Sequence, residues 1–259
     1  MGTMSAMLRM LLLGLAATGL MAFAEPVPQP TESFQSKALG EVHVYRPAGP
    51  ADRVAVVLSG DGGWKPQEAS GRTAAALAAR GVVALGLDVN QVFAVMAAPG
   101  GKPFDLAGAL DALAREGAER YGARGRTILS GYSAGATLAY AAFAQAPAGR
   151  FSGLVTQGFC PDQDTVNPAG DAAGATIGYQ KPKVVGWIYH AKPLPGPWAA
   201  IEGEREHGCP GGSVPKFVGR VPGAKLWTLP GMTHAFEPAE GWAAQLSEAL
   251  TFTGVATAR

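Results

Sequence analysis

Two cysteines in 259 residues are too few for a disulfide-dense scaffold, and the four histidines show no ligand spacing with them. A zinc site of the usual Cys/His kind is therefore not expected, and no metal or other cofactor is. Charge of one sign is also missing. A net charge of +1, with no long basic run, gives no field to attract nucleic acid. No internal repeat or low-complexity tract appears, so solenoid and disordered classes are excluded. No Walker or G-x-G-x-x-G pattern is completed, which disfavours a nucleotide cradle. What remains is a chain that is 47% hydrophobic and long enough to bury one good-sized core, and one domain is the simplest count.

Long apolar runs are scarce as well. The longest begins after Arg9, from Met10 to Ala24, and is short of the roughly 20 residues that span a bilayer. A basic start, an apolar centre and Ala22-Phe23-Ala24 read as a signal peptide, residues 1–24, with cleavage before Glu25 and a mature domain over 25–259. No cysteine lies near that point, so a lipid-modified N-terminus is not expected. The expected location is the periplasm. In an oxidising compartment Cys160 and Cys209 are free to pair. Both fall just past the ends of strands expected to be neighbours, and a bridge there would brace the loop between Glu202 and Pro215.

The chain alternates strand and helix patterns. Apolar runs at Arg53–Leu58, Val82–Leu87, Thr127–Leu129, Phe151–Gly158, Trp198–Ile201 and Lys225–Leu229 read as strands, with Val42–Tyr45 before them. Helices are expected over Glu68–Arg80, Phe104–Tyr121, from Ala134 onward, over Lys216–Val221 and over Glu237–Thr251. Glu25–Gln35 reads as a Pro-rich leader, and 164–197, without a clean period, as a short cap insertion. This alternation means a mostly parallel sheet covered by helices on both faces, with function at the strands' carboxyl ends.

At one strand-to-helix junction stands Gly131-Tyr132-Ser133-Ala134-Gly135, a G-x-S-x-G. The pattern alone is weak, but its setting is that of a nucleophile elbow, where a sharp bend lifts the serine hydroxyl beside a helix N-terminus. The expected fold is thus an α/β-hydrolase, with Ser133 as nucleophile. In the chain order Ser, acid, His, the base is His234, between the last strand and last helix, with His207 and His190 as fallbacks. Glu206 is the expected acid and Glu204 the next choice. The oxyanion donors are the backbone N–H of Ala134 and one from Gly60 or Asp61, in Ser59-Gly-Asp-Gly-Gly-Trp64.

Taken together, Ser59–Trp64, Gly131–Ala136, Gly158-Phe-Cys-Pro-Asp162, Gly203–Cys209 and Thr233-His-Ala-Phe236 resemble the bacterial VirJ/AcvB-type virulence-factor hydrolases. The resemblance implies an exported α/β-hydrolase acting on aminoacyl-phosphatidylglycerol and releasing lysine or alanine from the lipid head group. It matches Ser133 to the nucleophile, His234 to the base and Glu206 to a position usually held by Asp.

The sequence adds one clue to substrate. From Ala172 to Ile201 there is no acidic residue, while Lys181, Lys183, Lys192 and His190 interleave with Tyr179, Trp187, Tyr189 and Trp198. Lys181 and Lys183, with Trp64, are the expected substrate-binding residues, holding a lipid phosphate while aromatic rings meet the membrane surface. The rival readings are a general exported carboxylesterase and a non-catalytic envelope protein that binds a secretion or assembly partner.

Overall fold

Aliphatic runs that are buried along their whole length build the centre of this molecule. A computed structural model of the chain describes residues 27–97, 102–209, 212–237 and 241–256. The expected signal peptide, residues 1–24, and its cleavage point before Glu25 lie outside these. The elements of the first half are β1 (Glu32–Ser36), β2 (Gly40–Tyr45), β3 (Arg53–Leu58), α1 (Ala69–Ala78), β4 (Val82–Leu87), α2 (Val89–Met96), β5 (Phe104–Asp105), α3 (Leu106–Tyr121), β6 (Gly125–Tyr132) and α4 (Ala134–Gln145). Then follow β7 (Phe151–Gln157), β8 (Asp162–Gln163), β9 (Ala169–Gly170), β10 (Gly178–Gln180), β11 (Trp187–Tyr189), β12 (Trp198–Arg205), α5 (Ser213–Val218), β13 (Ala224–Thr233) and α6 (Ala243–Phe252).

Eight strands form the main sheet in the order β1-β2-β4-β3-β6-β7-β12-β13. From β4 through β13 every pair is parallel, and β1 and β2 add an antiparallel edge. Parallel strands need crossovers, and the helices that supply them cover both faces. Leu106, Leu110 and Leu113 of α3, Leu138 of α4 and Val89, Val92 and Met96 of α2 pack on one face. Leu77 of α1 and Leu246, Ala249 and Leu250 of α6 pack on the other.

Helix α4 is buried all round, from Gly135 to Ala144. Its alanines permit close approach to the sheet. On its outer side β8 and β9 cover it, and Tyr140 Oη donates to the His190 carbonyl at 3.1 Å. The segment read as a cap contains β9, β10 and β11; β10 and β11 form a three-stranded sheet with β8, which lies just before the cap, and Ala169–Gly170 pairs with Phe104–Asp105.

Three expectations are corrected, and one helix is added. Residues 32–35 of the supposed leader form β1 with Ser36, and it pairs with β2 across a tight turn. Val89–Met96, to which no element had been assigned, is a helix. The closing helix starts at Ala243, not Glu237. Strand β12 runs to Arg205 and carries a register shift between Gly203 and Arg205, so Glu206 leaves directly from a strand end.

Candidate active site

The elbow is built by close approach. A Cβ on Gly131 would collide with the carbonyl of Gly135, and one on Gly135 with the carbonyl of Ser59. Only glycine at both places lets α4 begin against β6 and β3. Ser133 between them is held at φ 53°, ψ −123°, a conformation few L-residues adopt. Its N–H donates to the Gln157 carbonyl at 2.9 Å, tying the bend to β7.

His234 arrives from the end of β13. Tyr132, inside the elbow motif, donates its hydroxyl to the His234 carbonyl at 3.1 Å, and its ring lies 5.5 Å from the imidazole. Phe236 anchors the segment from below, edge-on to Tyr132 and to Trp242. These contacts bring His234 Nε2 to 2.8 Å from Ser133 Oγ. On the other side His234 Nδ1 lies 2.7 Å from Glu206 Oε2.

The structure thus joins Ser133, His234 and Glu206, residues separated by up to 101 positions, in one hydrogen-bonded chain. Burial pushes the Glu206 carboxyl up, yet hydrogen bonds from His234 and the Gly208 N–H, with the charge His234 can carry, outweigh it. Its pKa falls below the ordinary glutamate value. Glu204 turns elsewhere and accepts from the Gly231 N–H at 2.8 Å. His207 and His190 are exposed, and the His190 ring stacks 5.4 Å from Tyr179. Neither reaches the serine.

The loop after β3 is fixed by α2. Asp88 caps that helix through the Asn90 N–H at 2.8 Å and also accepts from the Trp64 N–H at 3.3 Å. Asn90 Nδ2 donates to the Asp61 carbonyl at 3.0 Å, and the Gly63 N–H to the Gly60 carbonyl at 3.1 Å. Gly60 lies tight against the elbow, where a Cβ would come within 3.3 Å of Ser133 Cβ. Ala134 opens α4, so its N–H has no intrahelical acceptor. Gly60, Asp61 and Ala134 line one cleft of about 580 Å³ with Ser133 and His234. Asp88, Asn90 and the cleft residue Phe93 were not anticipated, because α2 was not.

Cys160 and Cys209 form a disulfide, with Cα atoms 5.7 Å apart across a separation of 49 residues. It fastens the segment after β7 to the segment carrying Glu206.

The expected substrate-binding residues fall elsewhere. Trp64 stacks on His43 at 5.4 Å and lies against Tyr45 and Gly86, so it packs on β2 and β4 and does not line the cleft. Lys181 is bound to Asp162 and Asp164, both at 2.6 Å, and is no free grip for a phosphate. The sequence hid this, since both carboxylates precede the stretch that lacks acids. Lys183 is exposed at the β10–β11 turn with φ 65°, away from the cleft lining.

Comparison with known proteins now places the chain. Residues 52–156 match the model of the bacterial virulence protein (VirJ) family. The VirJ match bears out the motif resemblance over the stretch that holds the Ser59–Trp64 loop and the Ser133 elbow. No curated protein matches the chain. Among solved structures, it is similar to Est1E from Butyrivibrio proteoclasticus, with TM-score 0.57 and 13% identity over 87% of this chain and 99% of that one. The apo form of Thermogutta terrifontis esterase 2 gives 0.59 and 18%, over 90% and 98%. An alpha-beta serine hydrolase homologue from Coxiella burnetii gives 0.52 and 17%, over 87% and 97%. The fold is that of an α/β-hydrolase.

Proposed function

We propose that this protein is a serine ester hydrolase. The reading is carried by the Ser133–His234–Glu206 chain, with serine and imidazole 2.8 Å apart on the wall of a cleft. Ser133 Oγ attacks the ester carbonyl while His234 Nε2 takes its proton, and Glu206 holds Nδ1–H and stabilises the imidazolium. The N–H of Ala134 and one from Gly60 or Asp61 hold the oxyanion. His234 then protonates the departing alkoxide oxygen. A water, deprotonated by His234, releases the acid from Ser133 by the reverse steps.

The finer reading is hydrolysis of aminoacyl-phosphatidylglycerol in the periplasm, at the outer face of the inner membrane. The signal-peptide pattern before Glu25, the disulfide and the VirJ match support it. So does the cap, where Val184 and Val185 are 60% and 58% exposed beside Lys183, a tip suited to anionic lipid. The leaving group is then the lipid glycerol and the freed acid is lysine or alanine.

Labelling by a fluorophosphonate probe, absent in Ser133→Ala, is the expected result, and a wild-type protein that stays unlabelled would favour a binding role. Incubation with lysyl- and alanyl-phosphatidylglycerol vesicles should release free amino acid. Turnover of short acyl esters with no release from either lipid would leave a general carboxylesterase.

A further inference from the structure

The segment that carries His234 does not hold itself. Phe236, two residues on, sits at φ 55°, a left-handed conformation that is costly for an aromatic residue and persists only where neighbours over-determine it. Its N–H closes a tight turn on the Thr233 carbonyl at 3.2 Å. The His234 side chain is 30% exposed. Its bonds to Ser133 and Glu206 fix the two ring nitrogens, but a ring held at two atoms still tilts about the line that joins them.

Tyr132 meets both the backbone and the ring of this histidine. Its hydroxyl donates to the His234 carbonyl at 3.1 Å, and its ring lies 5.5 Å from the imidazole with 32° between the planes. At Gly158 only backbone meets the imidazole, since a Cβ there would come within 2.7 Å of Cε1. The tyrosine ring has a second neighbour, independent of the first. It lies so close to Gly60 that a Cβ on that residue would come within 3.1 Å of Cδ1 and Cε1. Gly60 and Asp61 are the residues proposed to supply an oxyanion donor.

The side chain is well placed to hold both. Tyr132 is the last residue of β6, is 9% exposed and stands edge-on to Phe236 at 6.0 Å. Burial first, and then the carboxylates of Glu68, Glu206, Asp61 and Glu237, push its phenol up to about 12, so the hydroxyl stays a donor well above neutral pH. We propose that Tyr132 is a positioning residue for two parts of the machinery at once. Its hydroxyl holds the His234 backbone and its ring holds the Gly60 loop, so one side chain sets the base and the oxyanion donor relative to each other. The inference rests on the ester-hydrolase reading and adds to it a residue that acts through others.

The test is a double-mutant cycle on p-nitrophenyl acetate, with spontaneous hydrolysis subtracted. Tyr132→Phe keeps the ring and removes the hydroxyl. Its kcat should fall roughly tenfold or more while KM changes less than about twofold, because a misplaced base slows the chemistry and not the binding. In a His234→Ala background the residual rate, read as turnover or as slow fluorophosphonate labelling, is carried by the oxyanion donors and binding. There the same change should cost less than about twofold. Tyr132→Leu removes the ring as well, so it should still cut that residual rate at least about threefold, through the Gly60 loop. Tyr132→Met, which refills the volume, stands in if the leucine variant melts too early to assay. A Tyr132→Phe loss of equal size in both backgrounds, or a lowered Tm with kcat unchanged, overturns the link to the base. A residual rate untouched by loss of the ring overturns the link to the oxyanion loop, and the hydrolase reading stands in either case. No turnover by the wild type together with no fluorophosphonate labelling sinks the hydrolase reading itself, and this assignment with it.

Discussion

Glu202 and Glu206 lie four residues apart, and their surroundings push them in opposite directions. Glu206 keeps its charge because His234 and the Gly208 N–H hold it, so it is the carboxylate able to orient an imidazole. Glu206→Gln keeps shape and loses charge, and kcat on a soluble ester should fall roughly 10²–10⁴-fold, read by steady-state kinetics. Glu202 is 4% exposed. Its Oε1 accepts from the Phe159 N–H at 2.8 Å while Oε2 has no partner. Burial first, then the charge of Glu206, raises its pKa well above that of an ordinary glutamate, and the Phe159 N–H only partly offsets this. A raised folded-state pKa contributes stability below the unfolded value, near 4.5, and loses it as pH climbs through the folded value. Glu202→Gln cannot ionise. Its Tm relative to wild type should therefore rise between pH 5 and pH 8 in thermal melts, and a difference that stays flat would contradict the assignment.

The elements that place these residues differ in how plainly the sequence announced them. Strands β3, β4, β6 and β7 were legible because a parallel strand buried on both faces needs an unbroken apolar run. The elbow was legible because close backbone approach leaves room for nothing larger than glycine at 131 and 135. Gly135→Ala would force the Ser59 and Leu58 carbonyls aside, and a loss of at least about 2 kcal/mol in denaturant unfolding is expected. Helix α2 was not legible, since Val89, Val92 and Val95 favour strands locally, and only packing on the sheet decides for a helix. Its cap is the device that secures the loop after β3. Asp88→Ala removes the bonds to the Asn90 and Trp64 N–H groups at once, so stability should drop by about 1–2 kcal/mol. The loop proposed to carry an oxyanion donor would loosen too, and kcat should fall more than KM rises. The role of Lys181 was hidden for a different reason. Its partners Asp162 and Asp164 meet it through β8 and β11 pairing, which no spacing in the chain reveals.

At the scale of the whole molecule, the proposed catalytic chain spans three strand ends: β6 gives the serine, β12 the glutamate and β13 the histidine. Strands β6 and β12 are separated by β7, so the serine and the acid are held in register only through their neighbours. The sheet fixes the strand ends, but Glu206 stands beyond the last pairing of β12 with β7, at Ile201, and beyond the register shift after Gly203. On the β13 side Arg205 still pairs with Thr233, and on the β7 side the Cys160–Cys209 bridge, three residues past Glu206, ties the segment back. Closing a loop of 49 residues is worth about 4 kcal/mol on the chain-entropy model. For a domain of this size that corresponds to a Tm lower by roughly 8–16 °C once the bridge is reduced. The kinetic consequence follows from position. Loosening the acid's loop leaves the serine and the proposed oxyanion donors in place and touches the cleft wall only at Cys160 and Gly208, so Cys160→Ser/Cys209→Ser should lower kcat well below wild type at temperatures where the variant is still folded, while KM for a small ester changes less than kcat. Kinetics at 15 °C beside a thermal melt separate the two effects, and a variant that is less stable yet keeps wild-type kcat would show that the sheet alone positions Glu206.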